Sequence, residues 1–477
     1  MFRCKPIETE SQSESAHGGL TRSMGLFQLT MLGVGATVGT GIFVVLNEAV
    51  PHAGPAVVLS FLIAGITAAL TALCYAELAS SIPVSGSSYS YAYASLGEIV
   101  AYGVAWCLLL EYGVSASAIA VGWGQYLNEF FMYMFDWRMP DIISQPPGHG
   151  GVFNVPAVVL IMMCCVLLMR GSKESAVVNS IMVLVKLAVL VLFVGIAVIG
   201  FETKHMAPFA PFGMAGVGVA ASTIFFSYIG IDAVSTAGDE VKNPRRTLPL
   251  AIVLSLVIVT VIYIVVAVAA LGAQPWADFK GQEAGLAVIM HKVTGAAWPS
   301  VVLSLGAILS IFSVTLVVLY GQTRILFAMS RDGMLPAMFR RVNPRTQTPN
   351  LNTIIVSVFV AVLAAFVPLD VLANLTSMGT LVAFAVVSIG VMVLRRTQPN
   401  LERSFKVPLF PLTPLVSVGF CAYLIYGLPL DTFILFAVWL TIATVVYFTY
   451  SIKNSKLERA ANAVAEPELE PATQQVR

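Results

Sequence analysis

Charge is what this chain has least of: 11% of its 477 residues are charged, against about 25% in an ordinary soluble domain. So little charge cannot hold a chain that is 58% hydrophobic in water. A soluble enzyme and a nucleic-acid-binding protein are excluded, and a protein of many membrane crossings remains. The net charge of +1 points to no partner. Cysteine is also sparse where it would matter. Cys4 lies in the polar amino-terminal segment, while Cys74, Cys107, Cys164, Cys165 and Cys421 lie in apolar runs. No expected external loop carries one, so neither a disulfide framework nor a disulfide-linked subunit is expected. Five small apolar fillers are the plainer reading. The histidines His17, His52, His149, His205 and His291 are scattered outside the span interiors, so no metal site and no cofactor is expected. The loops are short and hold no catalytic constellation, which speaks against an enzyme. The first apolar run leads straight into further apolar runs, and no cleaved signal peptide is expected.

A bilayer crossing takes about 20 mainly apolar residues. That criterion predicts helices at 27–46, 55–80, 98–126, 153–169, 177–200, 217–238, 249–272, 298–327, 351–367, 372–394, 412–428 and 432–451. The expected fold is all-α and polytopic with twelve transmembrane helices. A polar segment, 1–26, precedes a transporter domain, 27–451, and a charged tail, 452–477, follows. With both termini inside, only Arg138, Lys204, Lys280 and Lys292 fall outside; Lys186 sits within a span and every other Lys and Arg falls inside. Such a bias predicts cytoplasmic termini. The internal stretch Pro83 to Gly97 has no basic residue and is the exception.

The first span carries Gly33, Gly35, Gly39 and Gly41 around Val38 and Thr40. As a dinucleotide fingerprint the spacing fails, because no strand precedes it and no acidic residue follows at the right distance. Close helix packing through small residues is the serious alternative. A second interruption, Phe225-Phe226-Ser227-Tyr228-Ile229-Gly230 in the sixth span, turns the reading toward a ligand site built from two broken helices. The two breaks lie five spans apart, as in carriers that repeat a five-helix unit in inverted orientation. That inference rests on placement, since no residue-level repeat is visible. Spans eleven and twelve fall outside the repeat and suit a peripheral or dimer-facing role.

At the first break, amides starting the outer half-helix suit a carboxylate. Carbonyls around Phe226 and Ser227 suit an ammonium. An α-amino acid carries both. Lys186, about ten residues into its span, costs roughly 2.5 to 3.5 kcal/mol on insertion scales unless it faces an internal cavity. Facing the bundle, it could gain and lose its proton during a transport cycle, and could stand where a sodium ion would otherwise bind. Glu111, near mid-span, is the expected acidic partner for buried charge. Asp232 reads as a cap of the second half-helix, and Glu77 as structural or gating.

Several strings in common order resemble the amino acid–polyamine–organocation superfamily, and within it bacterial members similar to the cationic amino acid transporter branch. They are Gly39-Thr40-Gly41-Ile42-Phe43; Cys74-Tyr75-Ala76-Glu77-Leu78 with Pro83 and Ser85-Gly86-Ser87; Leu110-Glu111-Tyr112; Arg170-Gly171-Ser172-Lys173-Glu174-Ser175; Glu240-Val241-Lys242-Asn243-Pro244; and Ser330-Arg331-Asp332-Gly333-Met334-Leu335-Pro336. The resemblance, from about Gly25 to Ser451, implies a leucine-transporter-like inverted five-plus-five repeat and secondary active transport by alternating access. It implies substrate binding at Val38, Gly39, Thr40, Gly41, Phe226, Ser227 and Ile229, with Lys186 and Glu111 coupling protons. Members that pair with a glycoprotein use an external cysteine that this chain lacks.

The expectation is therefore a proton-coupled symporter of neutral α-amino acids in a bacterial inner membrane, monomeric or weakly dimeric. Its partners would be amino acid, proton and lipid, with no nucleic acid. Cationic amino acid uptake, exchange without proton coupling, and a sensor with the transporter fold are the alternatives.

Overall fold

The computed structural model describes residues 4, 24–39, 41–82, 87–170, 176–230, 232, 234, 241–343, 346 and 348–456. Thr40, residues 83–86 and 171–175, Glu240, most of the first 26 residues and the tail beyond 456 lie outside the described residues.

The described chain is helical almost throughout. In order it forms α1 (Leu26–Thr37), a π-turn (Gly41–Val45), α2 (Leu46–Ala53), α3 (Val57–Ser81), α4 (Ser87–Ser95), α5 (Glu98–Phe135), α6 (Val155–Arg170), α7 (Ala176–Ile199) and α8 (Gly213–Ile224). After α8 come a 3₁₀ turn (Phe225–Tyr228), α9 (Pro244–Ala273), α10 (Gly285–Thr294), α11 (Ala297–Arg331), α12 (Asn350–Phe366), α13 (Leu369–Thr397), α14 (Leu412–Tyr426) and α15 (Leu430–Val446). Runs this apolar fold as helices because a helix satisfies its own amides where no water can. Local chemistry sets the ends. Asn243, at φ 52°, turns the chain before Pro244, whose missing N–H costs nothing at the first helical position.

Among the described residues, seven helical stretches are long and apolar enough to cross a membrane, and shorter apolar helices accompany them. Two details depart from the sequence expectation. The stretch expected as an internal loop at 83–97 contains α4, whose Ser87, Ser88, Tyr89, Tyr91 and Tyr93 are buried. Packing, not basic charge, holds it. The expected external loop after α9 contains α10, with Leu286, Ile289 and Met290 buried.

Packing gathers α1, α3 and α9 together, with α8 against α3 and α2. A second group joins α5 to α11 and α6 to α12, and α7 touches both groups through α1, α9 and α11. The outer surface is apolar: Ile181, Leu184 and Val191 on α7, Val257 and Val261 on α9, and Ile434, Val438 and Ile442 on α15 are exposed. An apolar exterior over a core holding Lys186, Glu111 and Asp232 is the arrangement that lipid demands.

Candidate functional site

α1 stops at Thr37 because its hydrogen-bond ladder stops there. Val38 still donates its amide to Val34 O at 2.8 Å, but takes an extended conformation (φ −74°, ψ 96°). The carbonyls at the end of α1 then need other donors. Lys186 Nζ donates to Gly35 O at 2.8 Å and to Val38 O at 3.1 Å. The Tyr263 hydroxyl lies 2.8 Å from Thr37 O. A cation thus stands at the negative end of the α1 dipole. Two charge-assisted bonds are worth together about 3–6 kcal/mol, enough to offset the burial of a side chain that is 1% exposed.

Helical geometry resumes at Gly41 as a π-turn. Opposite it, α8 tightens into the 3₁₀ turn Phe225–Tyr228, then Ile229 is extended and Gly230 sits at φ 98°. The two breaks touch. A Cβ on Gly41 would lie 2.6 Å from Ser227 Cα, and one on Gly230 would lie 2.8 Å from Ala36 O. Only glycine allows this approach, and at Gly230 only glycine takes the backbone angle easily. Close packing, the rival reading of the glycines, holds elsewhere in the stretch. Gly33 abuts Val234 and Ser255, and Gly39 abuts Val314.

Val38, Gly41, Phe226, Ser227 and Ile229 are therefore brought to one place, all buried. Gly39, also buried, neighbours them, and Thr40 lies outside the described residues. The Phe226 carbonyl accepts the Ile229 amide at 3.3 Å, while the Ser227 carbonyl lies 3.0 Å from the Tyr263 hydroxyl. The Ser227 hydroxyl is buried with no hydrogen-bond partner among the described residues.

Glu111, the acidic partner that the sequence suggests for buried charge, is placed on α5. It lies on a second π-turn, Leu110–Val114, fully buried, and among the described residues no hydrogen bond reaches either carboxyl oxygen. Asp232 and Thr380 are its polar neighbours, although the Thr380 hydroxyl is turned to Thr376 O at 3.1 Å. No ion pair joins Glu111 to Lys186 among the described residues; Lys186 is held by carbonyls instead. Asp232 accepts from the Tyr112 hydroxyl at 2.7 Å and from Ser87 at 3.0 Å, tying the second break to α5 and α4. The half-helix that the sequence expects Asp232 to cap lies largely outside the described residues. The extra residue of the π-turn re-aims Glu111 and Tyr112 relative to the rest of α5.

Two further carboxylates hold the helix ends. Glu77 is gripped by Arg395 through Nε at 2.7 Å and Nη2 at 2.5 Å, receives the Val407 amide at 2.7 Å, and has Arg403 Nε at 3.4 Å. Asp332 accepts from the Tyr89 hydroxyl at 2.9 Å. Burial, then the Asp332 charge, pushes that phenol well above its usual range, so it remains a donor. An open apolar groove lined by Ile63, Val416, Gly419, Phe420 and Tyr423 shares no residue with the breaks and is not the site.

Sequence reasoning missed Tyr263, and with it the bridge between the breaks. One signal existed: Ile262-Tyr263-Ile264 sets a hydroxyl deep in an apolar run, and a phenol at such depth needs a partner. Tyr126, whose hydroxyl donates to Phe43 O at 2.8 Å, is a second case.

A family model described as "Amino acid permease" matches residues 24–452. The chain belongs to the amino acid permease family. This places it in the amino acid–polyamine–organocation superfamily that the motifs resemble, as a multi-pass membrane transporter and not an enzyme. This permease is 43% identical over 463 residues to a methylthioribose transporter of Bacillus subtilis, covering 96% of this chain and 99% of that one. It is 42% identical, with the same coverage, to the branched-chain amino acid permease BcaP of that organism. A vacuolar cationic amino acid transporter 4 of Arabidopsis thaliana is 38% identical over 80% of this chain and 64% of its own length.

Proposed function

We propose that this permease is a proton-coupled symporter of neutral α-amino acids, holding its substrate between the two helix breaks. The observation that carries the proposal is Lys186, whose ammonium donates to Gly35 O and Val38 O at the end of α1. Those carbonyls are the kind of ligand a sodium ion takes, and a protein cation on them leaves sodium no role. Deprotonation of Lys186 would release the end of α1, which gives a proton a means of loosening the first break.

In this reading the substrate carboxylate meets the amides that follow Val38, from Gly39 to Gly41, and its ammonium meets the Ser227 carbonyl. Phe226, Ile229 and Val314 supply apolar surface for the side chain, which supports a neutral substrate. The relative named a branched-chain permease agrees with that. Glu111 serves as a second proton-holding group, facing Asp232 and not Lys186. The twelve apolar stretches act as spans in an inverted five-plus-five arrangement plus two, between the segment 1–26 and the tail 452–477. Both termini face the cytoplasm of a bacterial cell, and the working unit is a monomer or weak dimer.

Uptake of radiolabelled leucine by proteoliposomes under an imposed pH gradient, compared with a sodium gradient, tests the proposal. Accumulation driven by the proton gradient alone is expected; sodium dependence with indifference to pH would overturn it. A second reading follows from the relative named a methylthioribose transporter: a ribose thioether could occupy the same apolar space without using both polar ends. Including methylthioribose and arginine in the competition panel separates these readings, since leucine alone should compete if the first holds.

A further inference from the structure

The Tyr263 hydroxyl stands between the two breaks, 2.8 Å from Thr37 O and 3.0 Å from Ser227 O. It has one hydrogen and two acceptors in reach. The ring cannot easily move away. It is fully buried, packed edge-on against Tyr228 at 5.6 Å and Phe61 at 5.9 Å between ring centres, and the Tyr228 hydroxyl is itself fixed on Phe61 O at 3.0 Å. From α9, which packs on both α1 and α3, this phenol reaches the last carbonyl of α1 and a carbonyl of the 3₁₀ turn together.

The arrangement has a consequence for the transport cycle. When the breaks touch, as Gly41 and Ser227 do here, the Thr37 and Ser227 carbonyls come within reach of one buried hydroxyl, and buried carbonyls need a donor. We propose that Tyr263 is the positioning residue that supplies it, clasping the two breaks together so that the unloaded carrier can reorient. This rests on the reading that a substrate ammonium bonds the Ser227 carbonyl. An ammonium brings three donors, so a bound amino acid takes over that carbonyl and leaves the phenol to Thr37. The hydroxyl is then required by the unloaded carrier and dispensable to the loaded one. Ser227 supports this division: its side-chain hydroxyl is buried without a partner among the described residues, so it offers a second polar contact to an arriving ligand but no bond that closes the breaks.

Exchange and net transport separate the two states, because counterflow cycles only the loaded carrier while net uptake also needs the unloaded return. Reconstituted wild-type protein, Tyr263→Phe and Tyr228→Phe should be compared for leucine counterflow and for net leucine uptake under a pH gradient, with thermal stability recorded for each. Tyr263→Phe keeps the ring and its packing. We expect its net uptake to fall about tenfold or more, the scale set by one buried hydrogen bond, with counterflow within about twofold of wild type. Tyr228→Phe, which loses a hydroxyl that bridges nothing between the breaks, should keep the wild-type ratio of the two rates. If Tyr263→Phe loses counterflow and net uptake in equal proportion, or lowers the ratio no more than Tyr228→Phe does, the clasp is overturned. Wild-type protein that shows no leucine counterflow would overturn the substrate reading instead.

Discussion

A buried ammonium is tolerated only where its bonds outweigh its lost hydration, and at Lys186 two carbonyls of a helix end provide them. Lys186→Met removes the cation and its desolvation penalty together, so the fold should survive. The expected outcome is loss of leucine accumulation under a pH gradient, with the melting temperature in detergent changed by only a few degrees. Gly41 is constrained by space alone. A methyl group there would meet Ser227 Cα at 2.6 Å, backbone that cannot swing aside, so Gly41→Ala should hold the breaks apart and cut uptake by about tenfold or more. Gly195→Ala on α7, where an added Cβ meets nothing within 4 Å, is the control; it should leave uptake unchanged and stabilise the helix by about 0.5–1 kcal/mol. Lys186 was legible in the sequence because a charge in an apolar run announces itself. Tyr263 was not, because an aromatic in an apolar run looks like core.

Between elements, the Glu77 carboxylate is a tie of several charge-assisted bonds, joining α3 to α13 and to the chain at Val407. Removing one partner strands the others in a buried place, so Glu77→Ala should destabilise by about 3–5 kcal/mol, read as a lower melting temperature. Arg395→Lys keeps the charge but loses the two-pronged grip and should fall between that variant and wild type. The sequence suggested a structural or gating role for Glu77 without saying what it holds; Arg395 and Arg403 lie more than three hundred residues away in the chain. Which buried charge Glu111 would face was open in the sequence for a related reason; in the structure it neighbours Asp232. Depth in the membrane can be read from a sequence, but azimuth around a helix cannot when a π-turn shifts the face, as Leu110–Val114 does.

For the whole molecule, the end of the described chain acts as a strap. Ser451 donates to Met334 O at 2.7 Å, Ser455 to Glu98 at 2.8 Å, and the Lys456 amide to Asp332 O at 3.1 Å. Asp332 in turn holds Tyr89 of α4, so the strap reaches the helix whose Ser87 bonds Asp232. Truncation before Ser451 should lower the melting temperature by several degrees, and adding Glu98→Gln should cost less than it does in the intact chain, because the two changes break one shared network. Thermal unfolding in detergent of the wild type, the truncation, Glu98→Gln and the two changes combined checks this.

The sequence by itself determined that this chain is a helical membrane transporter, where its apolar helices lie, and that two of them are interrupted by glycine and polar residues. These are properties of composition and of residues near one another in the chain, and lipid leaves such segments little choice but to be helices. Only the tertiary structure decided which groups meet at those interruptions: Lys186 on the carbonyls of α1, Tyr263 across both breaks, and Glu111 beside Asp232. Such meetings depend on how helices distant in the chain rotate and pack against each other, and that is settled by the fit of all their faces at once.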